Sequence, residues 1–165
     1  EENVTKAWSQ VESVYQRRFD LIPQLVNTVQ GAANYEKSTL KEVIEARSNV
    51  VKIDGSELTE ENVSKFQNAQ DQLTNALNKS ISLTVERYPE LTATQGFRDL
   101  QTQLEGTENR IAVERNKYNE VVQQYNTYIR RFPNSIFAGI FGFDKKGYFT
   151  ASTGAENAVE VNFEF

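Results

Sequence analysis

A row of residues near the amino terminus repeats with alternate steps of four and three positions. Its members are Val4, Trp8, Val11, Tyr15, Arg18, Ile22, Leu25 and Val29. This spacing places one side chain per turn on the same face of an α-helix and is typical of helices that pack in bundles. It predicts a helix that is already under way at residue 4.

The end of this first helix has two interpretations. The spacing can be continued as far as Val50, which favours one long helix, whereas Gly31 and a capping-box pattern at Thr39 favour a break within residues 31 to 38. A helix over residues 3 to 52 would be about 75 Å long, but the next predicted helix would reach only about 45 Å. We therefore expect a break near Gly31, because the first turns would otherwise have no neighbour.

Two more long helices are predicted. Thr59 precedes two glutamates and predicts the start of a helix over residues 60 to 88, which Pro89 ends. The pattern TATQ at residues 92–95 predicts that Thr92 caps another helix, over residues 93 to 132. The predicted row on its buried face includes Phe97, Leu100, Leu104, Ile111, Tyr118, Val121, Tyr125, Tyr128 and Phe132. We therefore predict an all-α fold: an elongated antiparallel helical bundle of about four helical segments, occupying residues 1–132. Residues 133–165 are rich in Phe and predict an irregular tail packed on or near the bundle, with a short helix at 135 to 141.

The composition excludes most familiar active sites. The chain has no His and no Cys, so it cannot build a Cys/His zinc site, a Ser-His-Asp triad or a Cys nucleophile. Its acidic residues form no calcium-loop pattern, and its glycines lack phosphate-loop spacing. We expect no enzymatic activity, no cofactor and no metal. The net charge of -5 argues against nucleic acid as a partner, because phosphate binding depends on clustered Lys and Arg.

Two residues depart from the pattern of the first helix. Arg18 occupies an apolar position, where an isolated charge is costly. We expect it to join a polar network with Glu36 or Glu114 that fixes the alignment of the helices; the alternative is a ligand-binding charge cluster. Pro23 removes a backbone donor and predicts a kink, with a new helix capped by Asp20 as the alternative.

A second stripe on the last long helix is polar and small. It includes Glu108, Arg115 and Asn119, again at steps of four and three. Such a stripe suits either an internal polar layer against a neighbouring helix or a binding surface for another protein. We therefore treat these three residues as candidates for interaction with a partner.

The segment that follows combines basic and aromatic residues. Arg130 and Arg131 stand beside Phe137 and Phe141. Basic residues around aromatic rings can dock at a lipid interface. The alternative is that the rings fold back and close the open end of the bundle, because a soluble domain rarely leaves so much aromatic surface bare.

Several motifs resemble those of the bacterial LemA family. They are AWSQVE at residues 7–12, RRFDLIPQLV at 17–26, YEKSTL and EAR within 35–47, YPEL at 88–91 and EGTENRIAVERNKYNEVVQQYN at 105–126. Matching motifs cover about residues 7 to 143 in the expected order, and departures begin after Tyr148. The resemblance implies a helical bundle tethered to the cell membrane by a single N-terminal spanning helix. It also implies that this domain lies on the cytoplasmic side and carries no assigned catalytic residue.

The anchor itself is not among the printed residues. No apolar run approaches the roughly 18 to 20 residues that a spanning helix needs. The chain contains no Met, so we expect a segment to precede Glu1, where the resemblance places the anchor. The sequence thus predicts a membrane-tethered, non-enzymatic helical scaffold or interaction domain with a protein partner and an oligomeric state that it does not identify. The alternative is a lipid-surface-binding module that acts through residues 130–149.

Overall fold

The computed structural model describes residues 1–150, and this part of the chain is all-α, as predicted. Within it, six α-helices and one short 3-10 turn follow one another: α1 (Glu2–Gln30), the 3-10 turn (Lys37–Thr39), α2 (Lys41–Ser48), α3 (Glu60–Arg87), α4 (Pro89–Thr92), α5 (Gln95–Arg130) and α6 (Asn134–Phe141). The described residues contain no β-strand. The end of the predicted tail, residues 151–165, lies outside the described residues.

The helices α1, α3 and α5 form the body of the molecule. The ring centroids of Trp8 and Tyr118 lie 5.5 Å apart, and Arg18 pairs with Glu108, so α1 and α5 meet in opposite chain order. Trp8 also packs against Phe66 on α3, with centroids 4.9 Å apart, and Arg18 binds α3 further along its length. α1 and α3 therefore meet in the same chain order. The connection between them, residues 31–59, includes α2 and brings the chain back to the level of Trp8, beside which Gly55 lies.

The α1 stripe is confirmed, because all eight of its members are buried. The buried residues of the bundle form two hydrophobic clusters at different levels. The first cluster includes Val4, Trp8, Tyr15, Phe66, Ile111, Tyr118 and Val122. The second includes Ile22, Leu25, Leu73, Leu77, Phe97, Leu100 and Leu104. Arg18 lies on α1 between the part of the helix that belongs to the first cluster and the part that belongs to the second.

The predicted break in the first helix is confirmed, since α1 ends at Gln30. Pro23 lies inside α1, so the alternative in which Asp20 starts a new helix is wrong. The missing N–H of Pro23 leaves the carbonyl oxygen of Phe19 without its usual helical donor. The Nε of Arg47 on α2 donates to that oxygen over 3.3 Å. The guanidinium carbon of Arg47 also lies 3.8 Å from the centre of the Phe19 ring, so the proline creates an acceptor that ties α2 to α1.

The three predicted helix caps have different outcomes. Thr59 caps α3 as predicted, through its hydroxyl. The cap of α5 is Thr94 and not Thr92, because Thr92 lies within the short helix α4. Thr39 does not cap α2. Its hydroxyl is instead buried, 3.3 Å from the hydroxyl oxygen of Tyr88.

Candidate functional site

Arg18 is the centre of a buried polar layer between the two hydrophobic clusters. Its Nη1 lies 2.8 Å from Oε1 of Glu108 and also donates to the hydroxyl of Thr74. Its Nη2 donates to the side-chain and backbone oxygens of Gln70 over 2.6 and 3.0 Å. One guanidinium thus binds α3 and α5 from α1. A shift of any of the three helices would leave a buried charge without partners, so this layer fixes their alignment.

The predicted partners of Arg18 are wrong. Glu36 lies 3.4 Å from Arg87, and Glu114 lies 3.8 Å from Lys117. Neither reaches Arg18, because spacing along a helix does not determine which levels of two different helices meet. The carboxylate at the level of Arg18 is Glu108, a member of the second stripe.

Two asparagines on α5, Asn119 and Asn126, bind a peptide segment of the same chain. Residues 145–150, here called the strap, lie along α3 and α5. The side-chain amide of Asn126 both donates to and accepts from the backbone of Lys146, over 3.0 and 2.9 Å. Asn119 makes the same pair of bonds with the backbone of Phe149, over 2.8 and 2.9 Å. Seven residues on a helix span about 10.5 Å, which three residues cover only when extended, so the strap is extended.

The strap inserts an aromatic side chain into the first hydrophobic cluster. The ring of Phe149 is stacked on Trp8, with centroids 5.9 Å apart, and meets the edge of Tyr118 at 5.3 Å. The guanidinium of Arg115 lies 4.8 Å from the Phe149 ring, and its Nη2 donates to the backbone oxygen of Thr150 over 2.9 Å. Phe149 thereby anchors the strap, because stacking and a cation–π contact act on one buried ring.

Glu108, Arg115 and Asn119 therefore serve internal contacts. Glu108 binds Arg18, and the other two hold the strap. Glu108 thus contacts the neighbouring helix α1, as the internal interpretation predicts, whereas Asn119 binds the non-helical strap, which neither interpretation named. Burial raises the pKa of Tyr118, whose hydroxyl donates to the backbone oxygen of Gly147 over 3.0 Å.

The helix α6 carries the large exposed apolar surface of the described residues. Its eight residues include only one buried residue, Ala138. The exposed side chains of α6, together with Phe132 two residues before the helix, are here called the α6 patch. They are Phe132 (82%), Ile136 (52%), Phe137 (55%), Ile140 (70%) and Phe141 (69%). The alternative in which these rings close the end of the bundle is therefore wrong.

The surroundings of the α6 patch are basic. Residues 121–143 contain no Asp or Glu, and this stretch includes Arg130 and Arg131, both of which are exposed. Among the described residues, neither arginine forms an ion pair. Lys146 forms an ion pair with Glu1, since its Nζ lies 3.1 Å from Oε1 of that residue. This contact also places the start of α1 at the same end of the bundle as the strap.

Residues 1–150 offer neither a cluster of metal ligands nor a membrane-spanning helix. Among residues 1–150, no group of three or more His, Cys, Asp or Glu side chains is placed to hold a metal ion. None of the helices in that range is long and apolar enough to span a bilayer. The surface that stands out chemically is thus the α6 patch with its two arginines.

Comparison with known proteins identifies the family. The chain is 35% identical over 75 residues to magnetosome proteins MamQ 1 and MamQ 2 of Paramagnetospirillum magneticum. It is 33% identical over 75 residues to magnetosome protein MamQ of Magnetospirillum gryphiswaldense. These alignments cover 46% of this chain and 27% of each relative, so the chain spans about a quarter of the length of the curated relatives it matches. The model of the LemA family matches residues 7–163, nearly the whole sequence, and the chain belongs to the LemA family.

Proposed function

We propose that the chain is a membrane-tethered, non-enzymatic helical scaffold or interaction domain. In this proposal the helices form an elongated bundle, in which α5 runs antiparallel to α1 and α3, and the bundle presents the α6 patch to a partner. A single spanning helix before Glu1 tethers the bundle, which lies on the cytoplasmic side. Membership of the LemA family supports the tether, because the resemblance to that family implies an N-terminal anchor.

The observation that carries this proposal is the exposure of the α6 patch. A folded monomer rarely leaves a contiguous apolar surface of this kind to water unless it binds something. The polar stripe on α5 is the weaker candidate for such a surface, because Arg115 and Asn119 already bind the strap. The ion pair between Glu1 and Lys146 also supports a tether at the same end of the bundle as the strap. An anchor before Glu1 would join the bundle close to the strap that follows α6.

In-cell photocrosslinking of the full-length, anchored protein tests the proposal. A photoreactive residue at Phe137 or Phe141 should give a discrete adduct with another molecule. The same residue at Asn119 should give only internal adducts, because that position holds the strap. Val113 is the matched control, since it is apolar and half exposed but lies outside the α6 patch. Equal labelling at Val113 and Phe141, or none at Phe141, would contradict the proposed contact surface.

A further inference from the structure

We propose that the partner of the α6 patch is the surface of an anionic lipid bilayer, into which α6 inserts its apolar side chains at the level of the headgroups. This inference deepens the proposed function and rests on it in one respect, because it takes the α6 patch as the contact surface. It adds the chemical class of the partner.

The exposed apolar side chains of α6 lie on one face of the helix. Ile136 and Ile140 are four residues apart, as are Phe137 and Phe141, so the two pairs form adjacent ridges on one helix face. All four side chains are more than half exposed. The buried contact of the helix lies on its other side, at Ala138. A short helix that is seated on one side and apolar on the other can lie in the plane of a bilayer interface.

The side chains of residues 136–143 cannot form hydrogen bonds with a partner. Residues 136–143 read IFAGIFGF and offer no side-chain donor or acceptor. Contacts between proteins usually include about one hydrogen bond per 100–200 Å² of buried surface. The acyl region of a bilayer requires no hydrogen bonds from the side chains that enter it. The composition of the helix therefore favours lipid over a protein groove.

The charges beside the α6 patch complement an anionic lipid surface. Arg130 and Arg131 flank the patch within a stretch of 23 residues, 121–143, that has no acidic side chain. Lys145 adds a third exposed basic residue, opposed by the neighbouring Asp144. The chain as a whole carries a net charge of -5, so the stretch 121–143 is a local departure from the average. Basic residues beside an apolar interfacial element are attracted by anionic headgroups.

The helix α6 is held at both ends. It follows α5 after three residues, and the strap that follows it is bound to α5 through Asn126 and Asn119. The patch therefore keeps a defined orientation relative to the bundle. Because Glu1 contacts Lys146 of the strap, a tether before Glu1 would emerge close to this end.

Vesicle co-sedimentation of the full 165-residue chain tests the inference. The probes are vesicles of phosphatidylcholine alone and of phosphatidylcholine with phosphatidylserine, each at low and high salt. We expect binding to the anionic vesicles that weakens as salt is raised. The double variant F137A/F141A should reduce the partition coefficient about tenfold or more, because two exposed rings no longer enter the interface. The matched control V85A/V113A removes two exposed apolar side chains outside the patch and should bind like the original chain.

A charge variant separates the electrostatic part of the interaction with the vesicles from the apolar part. R130Q/R131Q should lose the preference for anionic vesicles while keeping the apolar residues. The substituted side chains are exposed, and circular dichroism of each variant checks that the fold is kept. Equal binding of F137A/F141A and the original chain, or no binding to anionic vesicles, would overturn the inference.

The outcomes also separate this inference from the proposed function. No vesicle binding together with a discrete protein adduct at Phe141 in cells would overturn the lipid partner and leave the interaction domain supported. Salt-sensitive vesicle binding together with lipid adducts at Phe141 would support the lipid partner and argue against a protein partner at this surface.

Discussion

Replacing Glu108 by Gln should lower the free energy of unfolding by about 3 kcal/mol, the lower end of the range for breaking a buried ion pair. The substitution keeps the shape of the side chain but removes the carboxylate that faces Arg18 at 2.8 Å. The Arg18 side chain is 1% exposed, so it cannot regain water, and a guanidinium does not lose its proton at neutral pH. The remaining partners, Gln70 and Thr74, are neutral. The lower end applies because the Glu108 side chain is 32% exposed and the site is not fully dry.

The same geometry predicts strong coupling between the two residues. Arg18→Met replaces the guanidinium with an apolar side chain of similar length, and Arg18→Ala, which also leaves a cavity, should cost more. The double variant R18M/E108Q should be more stable than the sum of the single losses predicts, by about 2 kcal/mol. The reason is that removing both charges leaves no unpaired ion, which is often nearly neutral for stability.

Urea denaturation followed by far-UV circular dichroism measures these differences, provided that the slope with denaturant stays constant. Glu61→Gln is the control. Glu61 pairs with Lys65 at 3.0 Å, but both side chains are largely exposed, so its loss should change the stability by only a few tenths of a kcal/mol. A loss below about 0.5 kcal/mol for Glu108→Gln, or strictly additive effects in the cycle, would refute the idea that this pair fixes the alignment of the helices.

Three further predictions concern the strap, the proline and a buried phenol. Gly147→Ala should destabilise by about 1–3 kcal/mol in urea melts, because the new Cβ would lie 2.8 Å from the Glu60 backbone; Gly106→Ala, with open space, is the control. Pro23→Ala should leave the midpoint of thermal unfolding unchanged or raised, since Pro23 is exposed, an ordinary helical N–H returns, and the second lone pair of the Phe19 oxygen can still accept from Arg47; a large loss would contradict this. Burial raises the pKa of Tyr118, so its contribution to stability is complete below the unfolded pKa of about 10 and should fall above it. Urea melts of Tyr118→Phe should show a smaller loss above that pH, because burial also raises the pKa of Tyr15 and Tyr125, which remain.

Periodicity predicted the helices well because burial along one face depends mainly on local spacing. It was less accurate in the second half of α5. After Tyr118 the buried residues are Val122 and Asn126, each four positions on, whereas the predicted row ran through Val121 and Tyr125. An α-helix has 3.6 residues per turn, so a row with average steps of 3.5 drifts around the helix with length. Phe132, the last member of the predicted row, is accordingly exposed.

The contacts between distant segments were not predictable in the same way. The spacing of seven between Asn119 and Asn126 was visible in the sequence, and it matches the length of three extended residues. Their amides bind the backbone of the strap, however, and backbone groups are alike at every residue. No side-chain pattern could therefore indicate Lys146 and Phe149 as the partners. The same limit applies to Arg18, whose partner depends on the relative level of two helices.

The distribution of polar and apolar groups reverses at one end of this molecule. In the bundle, a guanidinium and several amides are inside, where each has bonding partners that fix the helices and the strap. On α6, phenylalanines and isoleucines are exposed, although contact between apolar side chains and water is unfavourable. The internal groups hold the segments on both sides of α6, so the exposed side chains cannot fold inward without breaking the strap contacts. The α6 patch is thus kept exposed by the rest of the fold, which is the arrangement expected of a surface that is covered only on binding.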